Sequence, residues 1–285
     1  MERVIVAGVD RSLRGAAAAE WAAREALRRG LPLRVLHVSP PPGLGLGSVE
    51  LRPDPAEHVG EHVAERVAAQ LAARHPGLRV EGLGLDGPVV PALGSRSADA
   101  EMLVLGLRGE GGFAGLAVGS TALAAAARTD RPVVLVPGGF GAGHRARRPD
   151  EVTLAIDARA PVGGAVDFAF DTARLHGVRL HAVHVGTPPD RAADGEADRA
   201  VSASRYAARV HREMELLADA LRPWHEKYPS VRVLEDVVLS APVRALVRCS
   251  GSAELVVVGR RPGGGLGPVA HALVRLTAGP VAVVT

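Results

Sequence analysis

The sequence predicts an α/β protein built from two tandem doubly wound parallel-sheet domains. Three observations carry that prediction. Landmarks recur in order: Val4-Ile-Val-Ala-Gly-Val-Asp10 returns as Val152-Thr-Leu-Ala-Ile-Asp157, Leu36-His37-Val38 as Val183-His184-Val185, Glu101-Met-Leu-Val-Leu-Gly106 as Glu254-Leu-Val-Val-Val-Gly259, and Pro132-Val-Val-Leu-Val136 as Pro280-Val-Ala-Val-Val284. Asp10 to Asp157 and His37 to His184 are the same step along the chain. The step lengthens by Glu254 and shortens again by Pro280, which locates the insertions and deletions between two copies of one unit. Short apolar runs alternate with helical patterns throughout. Finally, 47% of the 285 residues are hydrophobic but only 3% aromatic, so the core must be Val, Leu and Ala, the palette of parallel strands buried on both faces.

The elements follow from that alternation. In the first copy, expected at 1–138, the run at 3–9 is a strand that ends on Asp10, and the Ala-rich stretch 13–29 is a helix. The segment 33–38 reads as a second strand, followed by a Pro/Gly loop and a helix over 56–74. Strand 78–84, helix 88–96 and strand 101–106 come next. A glycine-rich loop then leads into helix 119–128, and strand 132–136 closes the unit. Residues 139–150 are rich in Gly and charge and lack apolar periodicity, which makes them a linker. The second copy is expected at 151–285. Right-handed crossovers wind each sheet both ways from its first strand.

Composition excludes several classes of function. The 34 Lys+Arg against 31 Asp+Glu leave a net charge of +3 with both signs interspersed, so neither nucleic acid nor a membrane surface is an expected partner. Lys227 is the one lysine in the chain, which removes the phosphate-loop lysine and nearly all Schiff-base chemistry. Cys249 stands alone, so neither a disulfide nor a multi-cysteine metal cluster can form within the chain. The opening residues lack the pattern of a secretory signal, and no run of about 20 apolar residues is present to span a bilayer. A cytoplasmic protein is the expectation. No Gly-x-Gly-x-x-Gly follows the first strand, which disfavours a dehydrogenase, and no nucleophile with a base stands out, so no catalytic residues are expected.

In doubly wound sheets, ligands bind outside the carboxyl ends of the strands, where strand order reverses. Asp10, Val38 and Gly106 all fall there. The loop Gly106-Leu-Arg-Gly109, running on to Gly119-Ser120-Thr121 at a helix start, offers backbone N–H groups, hydroxyls and the positive end of a helix dipole, which suit a phosphate. Gly-x2-Gly-x9-Gly-Ser after an apolar strand resembles the adenine-nucleotide signature of the universal stress protein family. The resemblance extends in two copies over nearly the whole chain. It implies the Rossmann-like fold of the adenine nucleotide alpha hydrolases and a regulatory or stress-response role, with a slow ATPase or a module without nucleotide as the alternatives. It also implies ATP, with or without Mg2+, on Asp10, Val38, Leu105, Gly106, Gly109, Gly119, Ser120 and Thr121. An intramolecular pseudo-dimer of the two repeats through their fifth strands, with room for a homodimer, is implied as well.

The sequence departs from that family pattern at identifiable points. Arg11 stands where the family has glycine. In the second copy Asp157-Ala158-Arg159 lacks the serine, and the loop from Gly259 to Gly267 is shorter. There Pro268 replaces the hydroxyl residue and removes an N–H donor. The first copy is therefore expected to bind nucleotide and the second weakly or not at all, with Arg260 and Arg261 retaining some attraction for anions. His58-Val-Gly-Glu-His62 matches an inverted zinc-peptidase pattern but sits among charged residues on a solvated helix. His181 and His184 face opposite sides of one strand and cannot share an ion. No metal site is expected, and His37 and His184 are read as structural.

Overall fold

The computed structural model describes residues 3–39, 59–107, 118–138, 150–187 and 199–285. Contacts divide the chain into one unit of Met1–Ala146 with Pro262–Leu266 and another of Arg147–Arg261 with Gly267–Thr285.

The first unit runs β1 (Ile5–Gly8), α1 (Leu13–Arg29), β2 (Leu33–Ser39), α2 (Val59–Arg74), β3 (Val80–Asp86), α3 (Val89–Arg96), β4 (Met102–Gly106), α4 (Ser120–Arg128) and β5 (Val133–Val136). Its strands lie in the order β3-β2-β1-β4-β5, with every pair parallel. Strand order reverses between β1 and β4. Because crossovers are right-handed, the reversal sends helices to both faces: α1 packs with α2, and α3 with α4. β1, β2, β4 and β5 are largely buried, whereas the edge strand β3 is partly exposed, and α1 presents Ala18, Ala19, Ala22, Ala23 and Ala26, all buried. Small side chains let this helix lie close to the sheet, which is why a core almost without aromatics packs.

Local chemistry sets the boundaries of α1. The Ser12 hydroxyl accepts the Gly15 N–H at 3.1 Å, which satisfies one of the donors orphaned at a helix start. At the other end Gly30 adopts φ 64°, and Leu31 donates back to the Ala26 carbonyl at 2.9 Å. The expected strand 78–84 lies two residues later, at Val80–Asp86. Gly77, at φ 96°, and Leu78, whose N–H reaches the His75 carbonyl at 3.1 Å, belong instead to the turn that leaves α2.

The second unit repeats the plan: β6 (Glu151–Ile156), α5 (Gly163–His176), β7 (Arg179–Gly186), α6 (Arg199–Lys227), β8 (Val233–Leu239), α7 (Pro242–Cys249), β9 (Ala253–Gly259), α8 (Pro268–Leu276) and β10 (Val281–Val284). Its strands lie in the order β8-β7-β6-β9-β10, again parallel. α5 ends on Gly177 at φ 67°, with Val178 donating to the Ala173 carbonyl at 3.1 Å, the same cap as on α1. α6 ends at Lys227, whose ammonium meets Asp167 at 2.5 Å. Among the described residues no helix is long and apolar enough to cross a membrane.

Candidate functional site

The carboxyl edge of the first sheet is built around two strand exits. Where β1 ends, Asp10 Oδ1 accepts the Ser12 N–H at 3.0 Å and the Ser12 hydroxyl at 2.5 Å, so one carboxylate oxygen organises the turn that starts α1. Gly15 lets the helix close on that turn, since a Cβ there would lie 2.6 Å from Asp10 Oδ1 and 3.0 Å from the Asp10 nitrogen. His37, buried on β2, is within hydrogen-bond reach of the Val9 carbonyl through Nδ1 at 2.9 Å and ties the two strand ends together. Val38, one residue on, is buried. Arg11 is exposed, so its bulk is not packed over the strand end.

The β4 exit stands beside it. Gly8 of β1 makes room for Leu105, as a Cβ on Gly8 would lie 2.4 Å from the Leu105 Cδ2 atom. After Gly106, Leu107 donates to the Val136 carbonyl at 2.9 Å and its own carbonyl accepts the Gly119 N–H at 2.7 Å. The chain leaving β4 and the chain entering α4 are thus pinned together, which brings Gly106 next to Gly119-Ser120-Thr121. Gly109, with Arg108 and Glu110, lies outside the described residues. α4 begins at Ser120 rather than at Gly119. Gly119 is the residue before its first turn, in extended conformation (φ −72°, ψ 146°), and no side chain caps the helix. The serine expected to supply a capping hydroxyl stands inside the first turn, and the helix start presents backbone donors and the positive end of its dipole.

The second unit treats the equivalent strand end differently. His184 repeats the role of His37, with Nδ1 3.2 Å from the Ile156 carbonyl, and a structural role is what this geometry gives both histidines. Beyond it the environment changes. Arg159, close to the position of Ser12, turns inward, and its Nη2 donates to both oxygens of Glu213 at 2.5 and 2.6 Å, while His184 Nε2 lies 3.2 Å from Glu213 Oε2 and 3.1 Å from Arg159 Nη1. Arg209 adds a contact to Glu213 at 2.7 Å. The Glu213 side chain is only 2% exposed. Burial pushes its carboxyl up, but the bonds from Arg159 and His184 and the charges of Arg159 and Arg209 outweigh this and hold it below the ordinary glutamate value.

The other loop has changed too. Gly267 precedes α8 with no side-chain cap and Pro268 fills the first turn, so one backbone donor is lost. Arg260 is buried, and its guanidinium donates to the Thr285 hydroxyl at 2.8 Å instead of facing a ligand. Only Arg261, exposed, is left to attract anions in the way the sequence suggests for the pair.

Glu213 is the residue that sequence reading missed. It lies 54 positions from Arg159 on a long helix, in a run of charges that reads as solvated surface, and no spacing links the two. The histidine pattern on α2 gives nothing comparable. His58 lies outside the described residues, and the His62 side chain is exposed, 3.9 Å from Glu65.

Comparison with known proteins accords with this plan. The model of the universal stress protein family matches residues 1–137 and again 150–285. A universal stress protein of Mycolicibacterium smegmatis is 33% identical, over 98% of this chain and 96% of its own length. One from Mycobacterium tuberculosis is likewise 33% identical, over 98% of this chain and 96% of that protein. Among solved structures, a universal stress protein of Archaeoglobus fulgidus superposes with a TM-score of 0.65 over 99% of this chain and 96% of its own, at 18% identity, a likeness of fold. With two family matches in register with two copies of one sheet, and relatives alike over almost their full length, the chain belongs to the universal stress protein family as a tandem of two such domains.

Proposed function

We propose that the first repeat binds ATP, with or without Mg2+, at the carboxyl edge of its sheet, and that the chain serves as a regulatory or stress-response module whose second repeat binds nucleotide weakly or not at all. The working units in this reading are 1–138 and 151–285, joined by 139–150. The observation that carries it is the unequal treatment of the two β1-type strand ends. In the first repeat an uncapped helix start stands beside Gly106, and Arg11 is exposed; in the second, Arg159 and Glu213 fill the corresponding corner.

Each residue then has a defined task. Asp10 and Val38, at the ends of β1 and β2, border the adenine, and the ribose lies with the phosphates on the glycine loop. Leu105 and Gly106 form the floor at the β4 exit, and Gly109 allows the loop backbone to approach the ligand closely. Gly119, Ser120 and Thr121 meet the phosphates with backbone N–H groups, two hydroxyls and the helix dipole. With one lysine in the chain, and that one in the second repeat, phosphate recognition in the first rests on backbone donors, hydroxyls and arginine. Mg2+, when it accompanies ATP, neutralises phosphate charge.

Calorimetric titration of the full chain with ATP tests this reading. One site per chain, accompanied by a rise in melting temperature, is the expected result, because a ligand that binds only the native state stabilises it. Two equivalent sites would overturn the assignment of the second repeat. Absence of any thermal shift at millimolar ATP would overturn the nucleotide itself.

A further inference from the structure

A second cluster of chemically capable side chains lies away from both strand exits, on the other face of the second sheet. His181 of β7, Asp236 of β8 and Cys249, the last residue of α7, each offer one ligand atom within 4.8 Å of the others. Among the described residues this is the one group of three or more His, Cys, Asp or Glu side chains so placed. We propose that these three residues form a binding site for a thiophilic divalent cation, Zn2+ by its chemistry, which the second repeat carries and the first does not.

The donor set and its surroundings both support the assignment. A thiolate, an imidazole and a carboxylate are the ligand types zinc takes, and three protein ligands leave a fourth position for water. His181 is 8% exposed. Its Nε2 lies 3.3 Å from Asp236 Oδ2, on the ligand side. Its other nitrogen, Nδ1, is buried without a hydrogen bond and stands 3.6 Å from Glu151 Oε1. A carboxylate behind the second nitrogen of a histidine is the arrangement that fixes a metal-binding imidazole, and a contraction of a few tenths of an ångström would complete it. Glu151 is itself held, by the Ser252 hydroxyl at 2.6 Å and by Arg179 at 2.7 Å. Asp236 and Cys249 are only partly buried, which leaves an entry path. The site also lies at the carbonyl end of α7, where the helix dipole favours a cation. On binding, the Cys249 thiol passes its proton to solvent and the sulfur becomes the ligand.

The internal repeat supplies a control. In the register of the two copies, His181 corresponds to Arg34 and Cys249 to Arg96, so the same fold is built without these ligands. The cluster is therefore not a requirement of the architecture.

Co2+ titration of the full-length protein, followed by absorbance, tests the proposal because a cobalt–thiolate bond gives a near-ultraviolet charge-transfer band. One Co2+ per chain is expected, displaced by Zn2+, with the band lost in Cys249→Ser. In Asp236→Asn the affinity is expected to fall by about tenfold or more, and in His181→Gln by at least as much. Unchanged circular dichroism of the metal-free variants establishes that each is folded. Zn2+ should raise the melting temperature of the wild type but not of Cys249→Ser. No charge-transfer band at millimolar Co2+ would overturn the site, and so would a band that persists undiminished in both His181→Gln and Asp236→Asn, which would mean that the cysteine alone captures the ion.

Discussion

The first strand ends in a turn in both repeats, and a histidine on the neighbouring strand reaches that end in both, yet the two turns do opposite things. In the first, Asp10 and Ser12 spend their bonds on each other and on the start of α1. In the second, α5 starts at Gly163 without a side-chain cap, and Arg159 reaches across to a carboxylate from α6. The histidine belongs to the scaffold and survives in both copies. The residues around it differ between the copies. A duplicated domain can keep its sheet while the corner at the end of its first strand is rebuilt as an ion-pair cluster.

The largest effect separating the two copies should come from Gly119→Asp. Aspartate is a good residue at the start of a helix, so α4 itself should tolerate it. Its carboxylate, however, would stand where phosphate is proposed to bind, and like charges at a binding interface cost several kcal/mol. ATP affinity measured by calorimetry should drop roughly a hundredfold, about 3 kcal/mol, with the melting temperature of the free protein little changed. Gly267→Asp in the second repeat should leave ATP affinity as it was.

Glu213→Ala tests the cluster in the second repeat. The carboxylate is almost fully buried, as is its partner His184, but the side chains of Arg159 and Arg209 are 49% and 35% exposed and can rehydrate once it is gone. The loss should therefore be about 2 kcal/mol in a denaturation experiment, less than for a fully buried pair. The acid side sharpens this further. Because the folded protein holds the Glu213 carboxyl below its ordinary value near 4.5, its contribution is fully present above that value and is lost as pH falls through the lowered one. Melting temperatures of the wild type should thus decline below about pH 4.5 more steeply than those of Glu213→Gln. Equal slopes would show that other carboxylates, Glu151 and Glu20 among them, dominate the acid limb; both are also held low, against the upward push of burial, by bonds from Ser252 and Arg179 in one case and by Arg74 and His75 in the other.

Two smaller effects complete the series. Arg159→Ser combined with Pro268→Ser should give the second repeat a measurable ATP affinity, at least about tenfold weaker than the first, read as a second titration event. The gain is limited by the short loop before α8. Ser12→Ala should cost about 1 kcal/mol of stability, the usual worth of a helix cap, and should leave the second repeat unaffected.

The fold was legible in the sequence to within a residue or two at most borders, because the signals were local: Ser12 before an alanine-rich stretch, runs of valine bounded by Pro132 and Pro280, glycine at the helix exits. β3 was displaced because the turn at Gly77 consumes two residues that read as strand. The proposed nucleotide edge was legible because its residues cluster in linear patterns around three strand exits. Neither the Glu213 cluster nor the His181, Asp236 and Cys249 group could be read that way. Each joins helices and strands far apart along the chain, and only the packing of α6 and α7 on β7 and β8 brings them together.

The ion pair between Lys227 and Asp167 has a consequence for covalent chemistry. With no other lysine in the chain, lysine acylation can land only in the second repeat, at the end of α6. Asp167 and the neighbouring Tyr228 hydroxyl keep that amine more firmly protonated than usual, so it should be a slow nucleophile. The first repeat offers no lysine side chain to such chemistry.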